Sequence, residues 1–484
     1  MKKMKERESV FSKIMRNVQI LSYLIILLST CLVLIYVRNS FFDAMEAKAD
    51  LFDSLMKLLS PFFGFLAIYK MTQSRHNCSF FLIFLVLLFL FTAISTYYSF
   101  SPADAFSGIQ GWRVGGYAIC CLILMVFSLK NVEQLDWKWL FPFFIVCLFE
   151  FALVILESMG LDLFSMKTSL EKSARFAYFG TLGNSNWNVG FFSLVVPFFV
   201  CRYIGEKNAY LKCFYFITGL CGIIASILNG ADGIYLAYAL CIPFMLPFIL
   251  DNLVSIRDAL FLGISVLLGL LLTWNMPQFT SFFRYYDSIG KLFFNDSLLL
   301  AFIILFIIVL LVSYRLEEDT YLKYRKKIIT IFISLFCVLE VGSLLFASHY
   351  RGDSFDSYRF ELWRLSLKQF KEFSLFNKFF GLGPELTRNI YARLFSKYGV
   401  IFNASHSEPI QLLVTLGASG LFAWLGLWTC LFVSYFKKKI FEREELLGFY
   451  VGLIAYFGQS FVNSATIPNL MILVIFVTMG YRSK

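Results

Sequence analysis

The stretch V18-Q-I-L-S-Y-L-I-I-L-L-S-T-C-L-V-L-I-Y-V37 runs for twenty residues without a charge, between Arg16 and Arg38. At about 1.5 Å per helical residue it spans the ~30 Å hydrocarbon core of a bilayer. No small-residue cleavage site interrupts it, so it reads as a retained spanning helix and not as a removed signal. The rest of the chain repeats the pattern. Of 484 residues, 59% are hydrophobic and 15% charged, where soluble domains carry roughly 25% charged residues. Further apolar runs fall near 53–70, 79–98, 112–129, 139–158, 187–204, 211–228, 232–250, 259–275, 297–314, 328–347, 409–435, 445–463 and 466–481. The expected fold is an all-α, polytopic membrane protein of about 14 transmembrane helices, one integral membrane domain over residues 1–484.

The net charge of +11 would raise nucleic acid as a partner in a soluble chain. Here cytoplasmic loops rich in Lys and Arg account for it, and no nucleic acid is expected. With the N-terminus inside and the helices alternating, Arg315, Lys323, Arg325, Lys326 and Lys327 share one inner loop and Lys437, Lys438 and Lys439 another. Both termini are then cytoplasmic. The eleven cysteines form no CxxC pair and read as small apolar residues rather than disulfides or metal ligands.

One loop, about 348–408, is long and falls outside, as a large extracytoplasmic loop. It holds nine Lys and Arg residues, Arg351 among them. Loops of this length in compact proteins are usually functional. Within it, D356-S-Y-R-F-E-L-W-R-L-S-L-K-Q-F-K-E-F373 reads as a helix, with Phe360, Trp363, Leu367 and Phe370 on one apolar face. It is an amphipathic helix on the membrane surface, a set of phosphate-binding arginines (Arg359, Arg364), or both. The glycines of F379-F-G-L-G-P-E385 form a turn, either a plain loop or one that approaches phosphate. His406 then precedes a helix that Ser407 is placed to cap and Pro409 to open. It is either an interfacial histidine or a group that moves protons near neutral pH, with Glu408 or Asp353 to orient it. His349, Asp353, His406 and Glu408 lack metal-site spacing, and no metal or other cofactor is expected.

A second outer loop, from Gly160 to Asn186, carries Arg175 and ends G180-T-L-G-N-S-N-W-N-V-G190. Asn184, Asn186 and Asn188 either cap the following helix or bind sugar hydroxyls and phosphate. Glu150, Glu157 and Glu340 lie in or near spans, which a transporter or flippase would also show, although no internal repeat accompanies them.

Three of these stretches together resemble one family. G180-T-L-G-N-S-N-W-N-V-G-F-F, the Arg359–Trp363 helix followed by F380-G-L-G-P, and H406-S-E-P-I-Q-L-L-V-T-L-G-A-S-G are similar to segments of the O-antigen ligase / O-antigen polymerase superfamily. The resemblance covers roughly Gly180 to Gly420. It implies a GT-C-like fold in a bacterial plasma membrane. It also implies transfer of a glycan from an undecaprenyl-diphosphate carrier to an acceptor hydroxyl on another glycan, a lipid or wall anchor, or a protein, without metal. Under it, Arg359 binds the diphosphate and His406 handles the acceptor hydroxyl. Arg175, Asn184, Asn186, Arg351, Arg364 and Glu408 are further substrate-binding candidates. The family's Ser-Arg pair is missing: Asp232 in L228-N-G-A-D-G233 stands where the arginine would fall, and Arg284 is the candidate replacement. The tenth and eleventh spans read as an added hairpin.

Overall fold

The structure, a computed structural model, describes residues 2–38, 43–73, 79–129, 137–168, 180–274, 295–349, 358–388, 390–391 and 402–481. Arg175, Arg284, Arg351 and Asp353 lie outside the described residues.

Among the described residues there are helices and no strands. In chain order they are α1 (Lys2–Ile35), α2 (Ala44–Gln73), α3 (Phe80–Tyr97), α4 (Pro102–Ser107), α5 (Gly116–Leu129) and α6 (Phe141–Ser158). Then come α7 (Ser185–Gly205), α8 (Ala209–Leu228), α9 (Gly233–Ile249), α10 (Leu253–Trp274), α11 (Asp296–Arg315) and α12 (Glu318–His349). The remainder are α13 (Arg359–Glu372), α14 (Leu375–Phe380), α15 (Glu408–Thr415), α16 (Gly417–Lys437), α17 (Glu444–Ser460) and α18 (Ile467–Gly480). Among the described residues, nine helices are long and apolar enough to cross a membrane, and α5, α9 and α18 are shorter apolar helices. The chain is a polytopic membrane protein, and the apolar runs read from the sequence fall on helices, the run at 409–435 on two.

At the centre stands α7, buried along almost its whole length. It packs on α8, α9, α17 and α18. Lipid offers no hydrophobic drive for helix pairing, so close approach through small residues holds such pairs together. Gly452 of α17 shows this: a Cβ there would stand 2.2 Å from the carbonyl oxygen of Leu194 on α7. At the periphery, α11 packs on α10 and α12 on α9. Most of the large apolar side chains of α11 are exposed, as expected for a helix apolar all round that faces lipid.

Hydrogen bonds gather many of the connections at one end of the bundle. Arg113, before α5, donates from Nε to Glu46 of α2 at 2.9 Å. Glu385 accepts from the backbone of Ile109 (2.6 Å) and Val114 (2.8 Å). Arg359 donates to the carbonyl of Val462, between α17 and α18, at 3.0 Å.

One expectation changes. The run at 409–435 is not one helix. It breaks at Leu416–Gly417 into α15 and α16, with Gly417 at φ +70°. The break makes room for the glycine turn after α14. The Leu382 and Gly383 amides donate to the carbonyls of Val414 and Thr415, each at 3.0 Å. A Cβ on Gly381 would meet Thr415 backbone at 2.2 Å, and one on Gly417 would meet Phe379 backbone at 2.2 Å. Here the Gly-x-Gly turn serves backbone-to-backbone packing.

Helix α13 forms where expected. Phe360 and Leu367, on its expected apolar face, are exposed, as a face resting on a membrane surface would be. Leu362 and Ser366 are its buried residues, set against Tyr391 and Phe402.

Candidate functional site

The three asparagines that open α7 do three different things. Asn184 is the N-cap, and its side chain accepts from the Asn186 amide at 2.8 Å. Asn188 points the other way and donates to Asn229 Oδ1 at 3.0 Å, while Asn229 donates to the Ser185 carbonyl at 2.9 Å. Asn186 faces the loop, and its Oδ1 accepts from the Arg359 guanidinium at 3.2 Å. Capping explains Asn184 and packing explains Asn188. Asn186 meets the arginine singled out in the sequence.

Arg359 opens α13 directly after Tyr358, which is left-handed at φ +66°. Its hydrogen bonds to Val462 and Asn186 reach 103 and 173 residues along the chain. Arg364, five residues on, is exposed and lies about 140° round the helix, so the structure does not bring it to Arg359.

His406 is half-buried and left-handed at φ +50°. The segment around it is tied down. Trp363 of α13 donates from Nε1 to the Ser405 carbonyl at 2.9 Å. The Gln411 side chain accepts from the Ser405 amide at 2.9 Å and hydroxyl at 3.0 Å. Ser407 is the N-cap of α15 without a side-chain capping bond. Strained backbone of this kind costs of order 1–3 kcal/mol and persists where surroundings over-determine it. Burial first, and the Arg359 charge second, push the His406 imidazole from 6.5 down to about 4. At neutral pH the ring is therefore uncharged, able to accept a proton, and beside a fixed cation.

Glu408 does not orient the histidine. It is buried and accepts from the Tyr456 hydroxyl at 2.6 Å. Burial raises its pKa to about 8, so it is protonated at neutral pH.

Sequence reading missed Trp112. The apolar run placed it inside a span, whereas α5 begins at Gly116 and Trp112 lies in the preceding loop. Its ring meets Trp187 at 5.7 Å and His406 at 6.3 Å between centroids. It also lines a cavity of about 220 Å³. The polar end of the cavity holds Glu385, Asn403, Glu408, Gln411 and Ser464. Its apolar body runs between α3, α5, α16 and α18, from Leu470 to Val477 along α18, a helical rise of about 10 Å. Arg359 and His406 do not line it. They stand beside its polar end, with Trp112 between His406 and the cavity.

Glu150 and Glu157, which a transporter reading would use, are occupied by the fold. Glu150 accepts from the Thr181 amide at 3.1 Å, and Glu157 accepts from the Gly180 amide at 2.9 Å. Buried Lys48 donates to the carbonyls of Val33 (3.1 Å) and Tyr36 (2.9 Å) and to that of Leu34. The Thr181 hydroxyl reaches both Leu34 and Glu150. This knot fixes the segment that leads into Asn184 and Asn186.

No protein-family model and no characterised protein matches the chain.

Proposed function

We propose that the chain is a membrane glycosyltransferase of the O-antigen ligase / O-antigen polymerase type. It would transfer a glycan from undecaprenyl diphosphate to an acceptor hydroxyl at the outer face of a bacterial plasma membrane. The supporting observation is the meeting of Arg359, Asn186 and His406, from three segments distant in sequence, at one end of a membrane bundle. In this reading the loop end is extracytoplasmic, both termini are cytoplasmic, and about fourteen helices cross.

The chemistry follows from the groups present. As the bond from sugar to diphosphate breaks, negative charge grows on the leaving oxygen. A fixed guanidinium, oriented by Asn186 Oδ1 and the Val462 carbonyl, stabilises that charge where water is scarce, an effect worth a few kcal/mol. The acceptor hydroxyl loses its proton to the neutral His406 ring as it attacks the anomeric carbon. The diphosphate leaves on its lipid, and no metal takes part. Arg359 both holds the leaving group and, through its charge, keeps His406 unprotonated. Polymer growth on another lipid-linked glycan is the favoured product. Transfer to a lipid, wall or protein acceptor is the alternative.

The test is reconstitution in nanodiscs with an undecaprenyl-diphosphate-linked oligosaccharide, measuring lipid diphosphate release and glycan products by mass spectrometry. Arg359→Ala and His406→Ala, each inserted at wild-type levels, should lower release at least 100-fold, within the usual range for such groups. Undiminished release in both variants would remove the assignment, and the product chain length separates polymerase from ligase.

A further inference from the structure

We propose that the cavity between α3, α5, α16 and α18 binds an uncharged amphiphile, with a hydroxyl-bearing head at the Asn403–Ser464 end and a single apolar chain lying along α18. This does not rest on the transferase reading.

The cavity's body is apolar over about 10 Å and reaches Leu473 and Val477, a shape suited to a linear chain rather than a compact solute. Its head end is polar, and among the described residues that line it there is no Lys, Arg or His. The polar groups there are carboxyls, amides and hydroxyls, and several are already engaged. Glu385 accepts two backbone amides, Glu408 accepts from Tyr456, and Gln411 is bonded to Ser405 and Thr387.

Thr415 donates to the Gln411 carbonyl, which leaves two buried polar side-chain atoms. Asn403 Oδ1 and Ser464 Oγ are buried and have no hydrogen-bond partner among the described residues. A buried acceptor left unpaired is costly, and a hydroxyl head would satisfy both atoms. A phosphate head would instead enter a low-dielectric site with two acids and no cation among its described lining residues, which is expensive. The cavity therefore selects against the same chain carrying a phosphate, and it is distinct from any site for a diphosphate at Arg359.

The experiment uses the full chain in phosphatidylcholine nanodiscs. Two diazirine-bearing probes with the same acyl chain are compared, a monoacylglycerol and its phosphate monoester. Labelled peptides are mapped by mass spectrometry. The neutral probe should label residues 467–480 and 424–431 about tenfold more than the phosphate probe, the discrimination expected for an uncompensated buried charge. Leu473→Trp, which fills the cavity, should cut that labelling at least fivefold while labelling of lipid-facing α11 stays constant. The combined change Asn403→Leu and Ser464→Ala should reduce labelling by the neutral probe only. Equal or stronger labelling by the phosphate probe overturns the proposal, as does labelling that Leu473→Trp leaves unchanged. If Leu473→Trp fails to fold, the two-probe comparison on the unaltered chain decides alone.

Discussion

Replacing Gly417 with alanine should cost about 3 kcal/mol of stability. Two contributions add. Gly417 sits at φ +70°, where a side chain costs roughly 1–2 kcal/mol. The new Cβ would also stand 2.2 Å from Phe379 O, 2.3 Å from Phe379 C and 2.5 Å from Phe380 N. All three are backbone atoms, so no rotamer change relieves the clash, and α14 or the α15–α16 break must move by about 1 Å. Overpacking of this kind costs typically 1–3 kcal/mol. Gly160→Ala is the control. That residue is also left-handed, at φ +88°, but has nothing within 4 Å of the added carbon, so it reports the backbone contribution alone, about 1–2 kcal/mol. Denaturant unfolding in mixed micelles, followed by tryptophan fluorescence, gives both values. If Gly417→Ala costs no more than Gly160→Ala, the turn and the helix break do not pack as described. Because the break ends α15, the short helix that begins two residues after His406, Gly417→Ala should also lower transfer activity.

Further outcomes follow from other parts of the molecule. With its pKa held near 4, His406 keeps its base form down to that pH, so the acidic limb of transfer activity should fall near 4 and not near 6.5. Arg359→Gln removes a charge that lowers this pKa, so the limb in its residual activity should move upward. The same depressed pKa means the unfolded state binds the extra proton first, so the contribution of His406 to stability is present above pH 6.5 and lost as pH falls towards 4. Glu385→Ala strips two backbone amides of their acceptor and should cost about 2–5 kcal/mol, with faster hydrogen exchange at Ile109 and Val114. Lys48→Met leaves the carbonyls of Val33, Leu34 and Tyr36 without their donor. It should cost about 3–5 kcal/mol, as breaking a buried charged network does, read as a lowered unfolding midpoint.

The helices were legible because the bilayer sets a length and every backbone polar group must be bonded within the span. A twenty-residue apolar run has few other fates. Contacts between runs leave no such mark. Hydropathy passes smoothly through Leu416 and Gly417, and only the packing of the Gly381 turn shows why the helix restarts there. Trp112 looked like membrane because tryptophan counts as apolar, yet it lies outside α5 beside His406. The three asparagines at Asn184, Asn186 and Asn188 were conspicuous as a group. Which one turns to Arg359 depends on the cap that begins α7 and on Asn229. Glu408 stands two residues from His406 in sequence but is drawn away by Tyr456, a residue 48 positions further on.

The central claim is that Asn186 and Arg359 act as one site. A double-mutant cycle in the lipid diphosphate release assay tests it most directly, using Asn186→Ala, Arg359→Lys and the pair. A hydrogen bond to a charged group is worth about 1.5–3 kcal/mol, so the two changes should couple by about 1–2 kcal/mol. The account predicts that the double variant releases lipid diphosphate about as fast as the slower single variant. Fully additive losses would contradict it.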